Sequence, residues 1–462
     1  MAKSIFELDE FKPHERAWRA RVLELSTRRA YYDGTIYRQI RRRFGDVTAG
    51  LGWGWLTPRL YKGIKPLYLP LSRAVDVDAG IIPGDWALPP VDDEPRAEIW
   101  QRAMDTVFDW SSWSTEGVLY VHYGAVYGLS GLKVCDAPEE GQVRICPMDP
   151  TTYMLVHQSR YSHEPALALI VEAALNDQGE PCEYAEVIEP DRIRTFEDGR
   201  PHGYDDREPE YPNTMETVPI VEVPHINVGM AGGAYDPYGL YATAAGVYGG
   251  SSTAGGECTY QKAIPLLNEV NELASYLADI VKKHAEPQWM VSGAEAGELV
   301  KSGDNVWFVP PGGDAKALIA SVDVAGILAF IQEIRDQVYG ALPELAFDDL
   351  RKKDQIATAT LELQLMELVL KIKRCRPNYD SGLVRALRMA GEAGARLGLA
   401  EITDLADEEL RFDDKRPVLP LDRKTELELE QLEQQVAFGR GDYAAPIPDE
   451  PDEDETEDEG EE

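Results

Sequence analysis

The spacing of apolar positions changes several times along the chain. From Pro89 to Tyr127, Ile99, Met104, Val107, Phe108, Val118, Leu119 and Val121 follow an amphipathic pattern that predicts helices. The period then shortens. GLKVCDAPEEGQVRICPMDPTTYMLV reads as two short strands about a turn at Glu139, Glu140 and Gly141, followed by a third strand. ALALIVEAAL, EYAEVIEPDRIRTFEDGRP and TVPIVEVPHINV continue as a meander of short strands. Strands in a run with helices to one side predict an antiparallel sheet in an α+β unit.

A glycine-rich stretch, residues 229–256, separates this unit from a helical region. Ile264, Leu267, Val270, Leu273, Leu277, Ile280 and Val281 predict a helix from Tyr260 to His284, about 37 Å long at about 1.5 Å per residue. Pro287 ends it. PQWMVSG and DNVWFVPPGG then predict a small β module. A second helix carries Ile327, Ile331, Ile334 and Val338 on one face and runs to Pro343. A third, from Ala357, keeps Leu361, Leu365, Leu368 and Ile372 in a stripe. It gathers Lys371, Lys373, Arg374 and Arg376 at its end, where the helix dipole favours cations. A further helix is predicted over Tyr379 to Leu397, weakened by Gly391 and Gly394. A turn and a short charged helix follow, then an acidic tail with no apolar anchor, expected to be disordered.

Between the second and third helices lies a dense knot of both charge signs, Asp348, Asp349, Arg351, Lys352, Lys353 and Asp354. Taken alone, it reads either as a solvated loop or as a functional one. Composition sharpens the question. The chain of 462 residues has a formal charge of −36. About 11 of those charges lie in DEPDEDETEDEGEE, leaving about −25 on the rest. Such acidity argues against tight phosphate binding, which needs cations to displace counterions. Charge reverses locally before Phe44, where Arg16, Arg19, Arg21, Arg28, Arg29, Arg38 and Arg41 to Arg43 collect. They either pair with acidic neighbours or form a docking surface for another acidic chain. Cys135, Cys146, Cys182, Cys258 and Cys375 are odd in number and lack a C-x-x-C pair. Neither a disulfide framework nor a zinc site is expected, which suits a reducing cytoplasm. No targeting signal and no membrane span are expected.

Catalytic motifs fail on inspection. Gly250 to Gly255 has the phosphate-loop spacing, but Gly256 and Glu257 stand where Lys and Ser/Thr are required. GLSGL around Ser130 lacks the residue that a nucleophile elbow needs between Ser and Gly. The histidines, His14, His122, His157, His163, His202, His225 and His284, are scattered and read as structural. Acidic pairs such as Asp205 and Asp206, Asp348 and Asp349, or Asp413 and Asp414 are too common here to mark an acid/base pair. No catalytic residue, metal or cofactor is expected.

The order of modules resembles one family, the portal proteins of tailed double-stranded DNA bacteriophages, over roughly residues 89–399. YGLSGLKV with VRICPMDPTTYMLV looks like the family's wing sheet, EYAEVIEPDRIRTFEDGRP like the strand pair that follows, and TVPIVEV precedes the connection to the stem. The most specific piece is the succession LLNEVNELASYLADIVKKHAEPQWMVSG, GDNVWFVPPGG, LPELAFDDLRKKDQIATATLELQL. The resemblance implies an α+β portal-type fold: a wing of mixed helices and antiparallel sheet over 1–258, a stem helix over 259–286, and a small α/β clip over 287–322. A second stem helix (323–343), a tunnel loop (344–356), a long wing helix (357–378), a C-terminal wing and helical crown (379–440) and a disordered tail (441–462) complete it.

By the same resemblance the chain forms a ring, a dodecamer in the virion, at one capsid vertex. The tunnel loop, with Phe347, Asp348, Asp349, Arg351, Lys352, Lys353 and Asp354, would face the narrowest part of a DNA channel. Lys282 and Lys283 would add basic contacts at the stem end, and Trp289, Trp307 and Phe308 would belong to the clip. Implied partners are further copies of the chain, double-stranded DNA in transit, the large terminase, head-tail adaptor proteins, and the major capsid and scaffolding proteins. Assembly would take place in the host cytoplasm. An acidic channel would repel phosphate, letting DNA slide. The competing readings are another virion protein, such as an adaptor or minor capsid component, or a carboxylate-dependent hydrolase.

Overall fold

The computed structural model divides the chain into two units, residues 1–416 and 417–462. It describes residues 4–36, 68–84, 86, 94–137, 139–157, 164–176, 178–204, 207–227, 256–285, 288–292, 314–318, 324–346, 365–412, 416 and 418. For residues 94–95, 279, 282–285, 288–292 and 314–318 it describes the backbone alone. The helices and strands among the described residues belong to the first unit.

Two short 3-10 turns, Ile5–Glu7 and Lys12–His14, lead into α1, Glu15–Tyr32. Four of the five arginines of α1 have carboxylate partners: Arg19 with Glu15, Arg21 with Glu222, Arg28 with Glu24 and Arg29 with Asp33. This follows the salt-bridged reading; Arg38 and Arg41 to Arg43 lie outside the described residues. Helix α2, Leu71–Ile81, buries Leu71, Ala74, Val75, Asp78 and Ala79 on one stripe. Helices α3, Glu94–Trp110, and α4, Trp113–Tyr127, follow. Gly128 ends α4 in the left-handed conformation, φ 81°, where its N–H bonds to the Gly124 carbonyl. Glycine adopts that conformation without Cβ strain.

The strands are β1, Leu129–Ala137; β2, Gln142–Met148; β3, Tyr153–His157; β4, Pro165–Leu175; β5, Pro181–Ile188; β6, Arg192–Glu197; β7, Arg200–Pro201; β8, Glu210–Pro212; and β9, Ile220–Pro224. The expected turn between β1 and β2 is present, with Gly141 at φ 62°. The single meander is not. Strand β9 returns to the free edge of β1, with Leu129 opposite Pro224 and Lys133 opposite Ile220, giving a three-stranded sheet ordered β2-β1-β9. Strands β3 to β8 form a separate six-stranded antiparallel sheet. The two faces of the six-stranded sheet bury separate apolar sets. Met154, Leu169, Ala185, Val187 and Phe196 pack with Ile5, Phe6, Phe11 and Trp18 from the N-terminus. Tyr153, Leu155, Ala168, Ile170 and Ile188 pack with Val218 and Ile220 just before and within β9.

Helix α5, Ile264–Ala285, precedes strands β10, Gln288–Ser292, and β11, Asp314–Leu318, which pair antiparallel from Gln288 opposite Leu318 to Ser292 opposite Asp314. Helix α6, Val324–Ala341, packs against α5. Leu267, Val338, Leu342 and Leu345 join the core formed by α1, α2 and α4.

The last helix, α7, Met366–Leu397, differs from expectation. It runs without a break past residue 378 and carries Pro377 inside. Proline removes one ladder hydrogen bond. Burial of Tyr379, Leu383, Leu387 and Ala390 along the following turns offsets that local cost. Lys371, Lys373, Arg374 and Arg376 therefore lie in its first half and not at a helix end. Their partners come from other elements: Arg374 donates to the Asn227 carbonyl, and Arg376 donates to the Ile81 and Ile82 carbonyls at the end of α2.

Helix α7 also lies against α4, where Tyr379 crosses Tyr120 edge to face with ring centroids 5.1 Å apart. A Cβ at Gly124 would meet the Tyr379 hydroxyl directly. Gly124→Ala is expected to destabilise the protein by about 1–3 kcal/mol through overpacking. The measurement is the urea midpoint, with slope unchanged; an unaltered midpoint would show that the two helices do not need this close approach.

Candidate functional site

The charged segment between α6 and α7 is fastened at both ends. After α6, Leu342 and Pro343 start a 3-10 turn, Pro343–Leu345, in which Glu344 is fully buried. Described residues stop at Ala346 and resume at Leu365, one residue before α7. On the first turns of α7, Lys371 reaches back, and its ammonium contacts Glu344 Oε1 and lies 2.8 Å from Asp78 Oδ2 on α2. One cation thus joins the residues leaving α6, the start of α7 and α2.

The network extends through neutral groups. Thr259 Oγ1 donates to Asp78 Oδ2 over 2.5 Å and lies 3.0 Å from His225 Nε2. His225 Nδ1 is 2.7 Å from the Tyr379 hydroxyl. One proton arrangement satisfies all three contacts: Tyr379 O–H donates to Nδ1, and Nε2–H donates to Thr259, whose own proton goes to Asp78. It requires neutral imidazole, and burial does lower the affinity of His225 for a second proton. The backbone N–H of His225 donates to the Gly128 carbonyl over 2.9 Å, linking the cluster to the turn after α4.

The carboxylates differ sharply. Both are penalised by burial. Asp78 is nevertheless held well below the usual range, because Lys371 and the hydrogen bond involving His225 stabilise its anion. Glu344 is pushed up to about 7, first by burial and then by the charge of Asp78, with Lys371 only partly opposing. Despite burial, Lys371 is held above its ordinary value by the two carboxylates. Two buried oxygens, Asp78 Oδ1 and Glu344 Oε2, have no hydrogen-bond partner among the described residues. Such an arrangement positions a segment; among the described residues no group of three or more His, Cys, Asp or Glu converges to hold a metal.

The residues expected from sequence to face the channel, Phe347, Asp348, Asp349, Arg351, Lys352, Lys353 and Asp354, lie outside the described residues, as do Trp307 and Phe308. Lys282 and Lys283 fall in the last turn of α5, and Trp289 is in β10 opposite Ala317. Ser130, rejected as a nucleophile from sequence, is buried and donates to the Tyr120 carbonyl over 2.5 Å.

Sequence reasoning missed Asp78 and Glu344, read His225 only as one of several structural histidines, and assigned Lys371 to a helix end. A signal existed for Asp78. It occupies a core position in the stripe Leu71, Ala74, Val75, Asp78, Ala79, Ile82, and a carboxylate there requires a buried partner. Lys371 likewise stands between Leu368 and Cys375 on the buried face of α7.

Glu344 has its folded-state value raised, so the stability it contributes is complete below the ordinary carboxylate range and is lost as pH rises through about 7. Glu344→Gln should remove that loss, leaving the variant more stable than the parent by about 2 kcal/mol near pH 8, with the gap closing near pH 5. Urea titrations at several pH values check it. Lys371→Met leaves two buried carboxylates facing each other and should cost about 3–5 kcal/mol. Adding Asp78→Asn and Glu344→Gln to the same chain should recover much of the loss, which separates unpaired charge from lost packing.

A solved structure described as "Virion of native gene transfer agent (GTA) particle" matches over 89% of this chain and 96% of that chain, at 13% identity and a TM-score of 0.30. No curated protein matches. The family described as "Phage portal protein, SPP1 Gp6-like" matches residues 120–418, from within α4 through α5, α6, the charged segment and α7. The chain belongs to that family of phage portal proteins.

Proposed function

We propose that this chain forms a homododecameric ring at one vertex of the capsid, through which double-stranded DNA passes during packaging and ejection. The same ring docks the large terminase and later the head-tail adaptors, and contacts the major capsid and scaffolding proteins. ATP hydrolysis belongs to the motor. The portal chain is a structural conduit with no catalytic residue.

The observation that carries this reading is the fastening of both ends of the charged segment to one buried lysine. In the proposed ring each copy presents Phe347 to Asp354 to the DNA. A segment pressed by moving DNA must not pull its helices apart, and the Lys371 contacts to Glu344 and Asp78 tie its two ends to the body. Apolar surface supports the oligomer. Along α5 and α6, Tyr276, Val281, Leu328 and Phe330 are 38%, 54%, 51% and 49% exposed, an apolar surface suited to burial against a neighbouring copy. Electrostatics favours sliding: an acidic ring repels phosphate, and scattered basic side chains such as Arg351, Lys352 and Lys353 make contacts that break readily.

Native mass spectrometry of the purified chain, with negative-stain images of the same sample, tests the ring. Twelve times 51.5 kDa, about 620 kDa, with a central hole is the expected particle. A species that remains at 51.5 kDa across concentration and salt would overturn the proposal.

A further inference from the structure

Two thiols that the portal role does not use stand together on the β1–β2 hairpin. In the register of this pair Lys133 is opposite Cys146 and Cys135 is opposite Arg144. Cys135 and Cys146 are therefore diagonal neighbours on one face, flanked by two cations. Both are half-buried, whereas Cys182, Cys258 and Cys375 are buried. The register sets the two thiols two residues apart across the strand pair, on the same face. Strand β2 is the edge of the three-stranded sheet, so one side of it is free of β pairing within that sheet.

We infer that Cys135 and Cys146 form a reactive dithiol that closes to a disulfide when it meets a disulfide oxidant such as oxidised glutathione.

Cys146 is the attacking thiol. A hydrogen bond from Cys135, with Arg144 and Lys133 nearby, pulls it down to about 7 against the opposing effects of burial and Glu116. Cys135 is pushed up by the same hydrogen bond and by burial, with Lys133 opposing and Glu186 reinforcing. Lys133 is itself held 2.8 Å from Glu186, which fixes a cation beside the pair. A low-lying thiolate beside a resolving thiol is the arrangement that redox-responsive cysteines share. By contrast, burial pushes Cys258 up to about 11 and Cys375 up to about 12.

The chemistry balances. The Cys146 thiolate attacks one sulfur of the glutathione disulfide, forming a mixed disulfide and releasing one glutathione thiolate. Cys135 then attacks the Cys146 sulfur and expels the second glutathione, and its proton passes to a leaving thiolate. Two protein thiols are oxidised and one glutathione disulfide is reduced to two thiols. The product staples edge strand β2 to β1, the strand pair against which α7 packs.

The test uses the full chain under native conditions, equilibrated with reduced and oxidised glutathione over a range of ratios, quenched with N-ethylmaleimide and cut with trypsin without reduction. Trypsin cuts after Lys133, Arg144 and Arg160, so the two cysteines fall on different peptides, 134–144 and 145–160. The expected result is a disulfide-joined pair of these peptides, with Cys182, Cys258 and Cys375 recovered as thiols. Separate, individually alkylated peptides even in oxidised glutathione alone would overturn the inference, as would glutathione retained on Cys146 with no cross-link. In a second measurement, Cys135→Ala should slow iodoacetamide alkylation of Cys146 severalfold near neutral pH and move its pH profile upward. An unchanged profile would show that Cys135 does not activate Cys146.

Discussion

The ammonium of Lys371, enclosed between the carboxylates of Asp78 and Glu344, is the contact on which the surrounding architecture depends. Taking three charges out of water is expensive, and an apolar triad of the same shape would serve stability as well or better. What the ionic version supplies is specificity. A buried cation held between Asp78 and Glu344 favours one arrangement of α2, α7 and the turn after α6, because slippage would separate the ammonium from the Asp78 carboxylate that stays charged. The neutral chain through Thr259, His225 and Tyr379 extends this requirement to the residues entering α5 and to the turn at Gly128.

The same device recurs with arginine. Arg28, buried on α1, donates to the carbonyls of Tyr127 and Gly256, and so ties the end of α4 to the chain resuming after the glycine-rich stretch. Arg376 covers the carbonyls that end α2 and also holds the carbonyl of Arg416. Arg416 in turn pairs with Asp380. The chain has 46 Lys and Arg against 82 Asp and Glu, so each cation used internally is one fewer from the scarcer set that could meet phosphate at the surface. For a phage portal this has a consequence beyond stability: surface depleted of cations binds phosphate weakly. In the proposed channel, anchoring the fold from within and keeping DNA from sticking would draw on the same scarce residues.

Local periodicity made much of this protein legible. Helices α3 and α4, the β1–β2 hairpin with its turn at Gly141, and the α5 and α6 pair with β10 between them follow from spacing, proline and glycine within a few residues, whereas DNVWFVPPGG and the charged knot lie outside the described residues. The ordered succession of these pieces also marked the family. The return of β9 to β1 was not legible, because a strand's alternation says which residues share a face and not which strand lies beside it. The continuity of α7 was hidden by Pro377, whose local penalty is outweighed by burial farther along the helix. Gly391 and Gly394 read as helix weakeners, yet they are where the turn at Thr403–Ala406 and Ile402 pack against α7.

By itself, then, the sequence determined the element types, their order and the family, since these rest on interactions between near neighbours in the chain. Only the tertiary structure decided the partners of the buried charges. Lys371 meets Glu344 across 27 residues and Asp78 across 293. A helical stripe can show that Asp78 is buried, but the choice of its counter-ion is made by packing, which brings one ammonium within reach in a place where water cannot substitute for it.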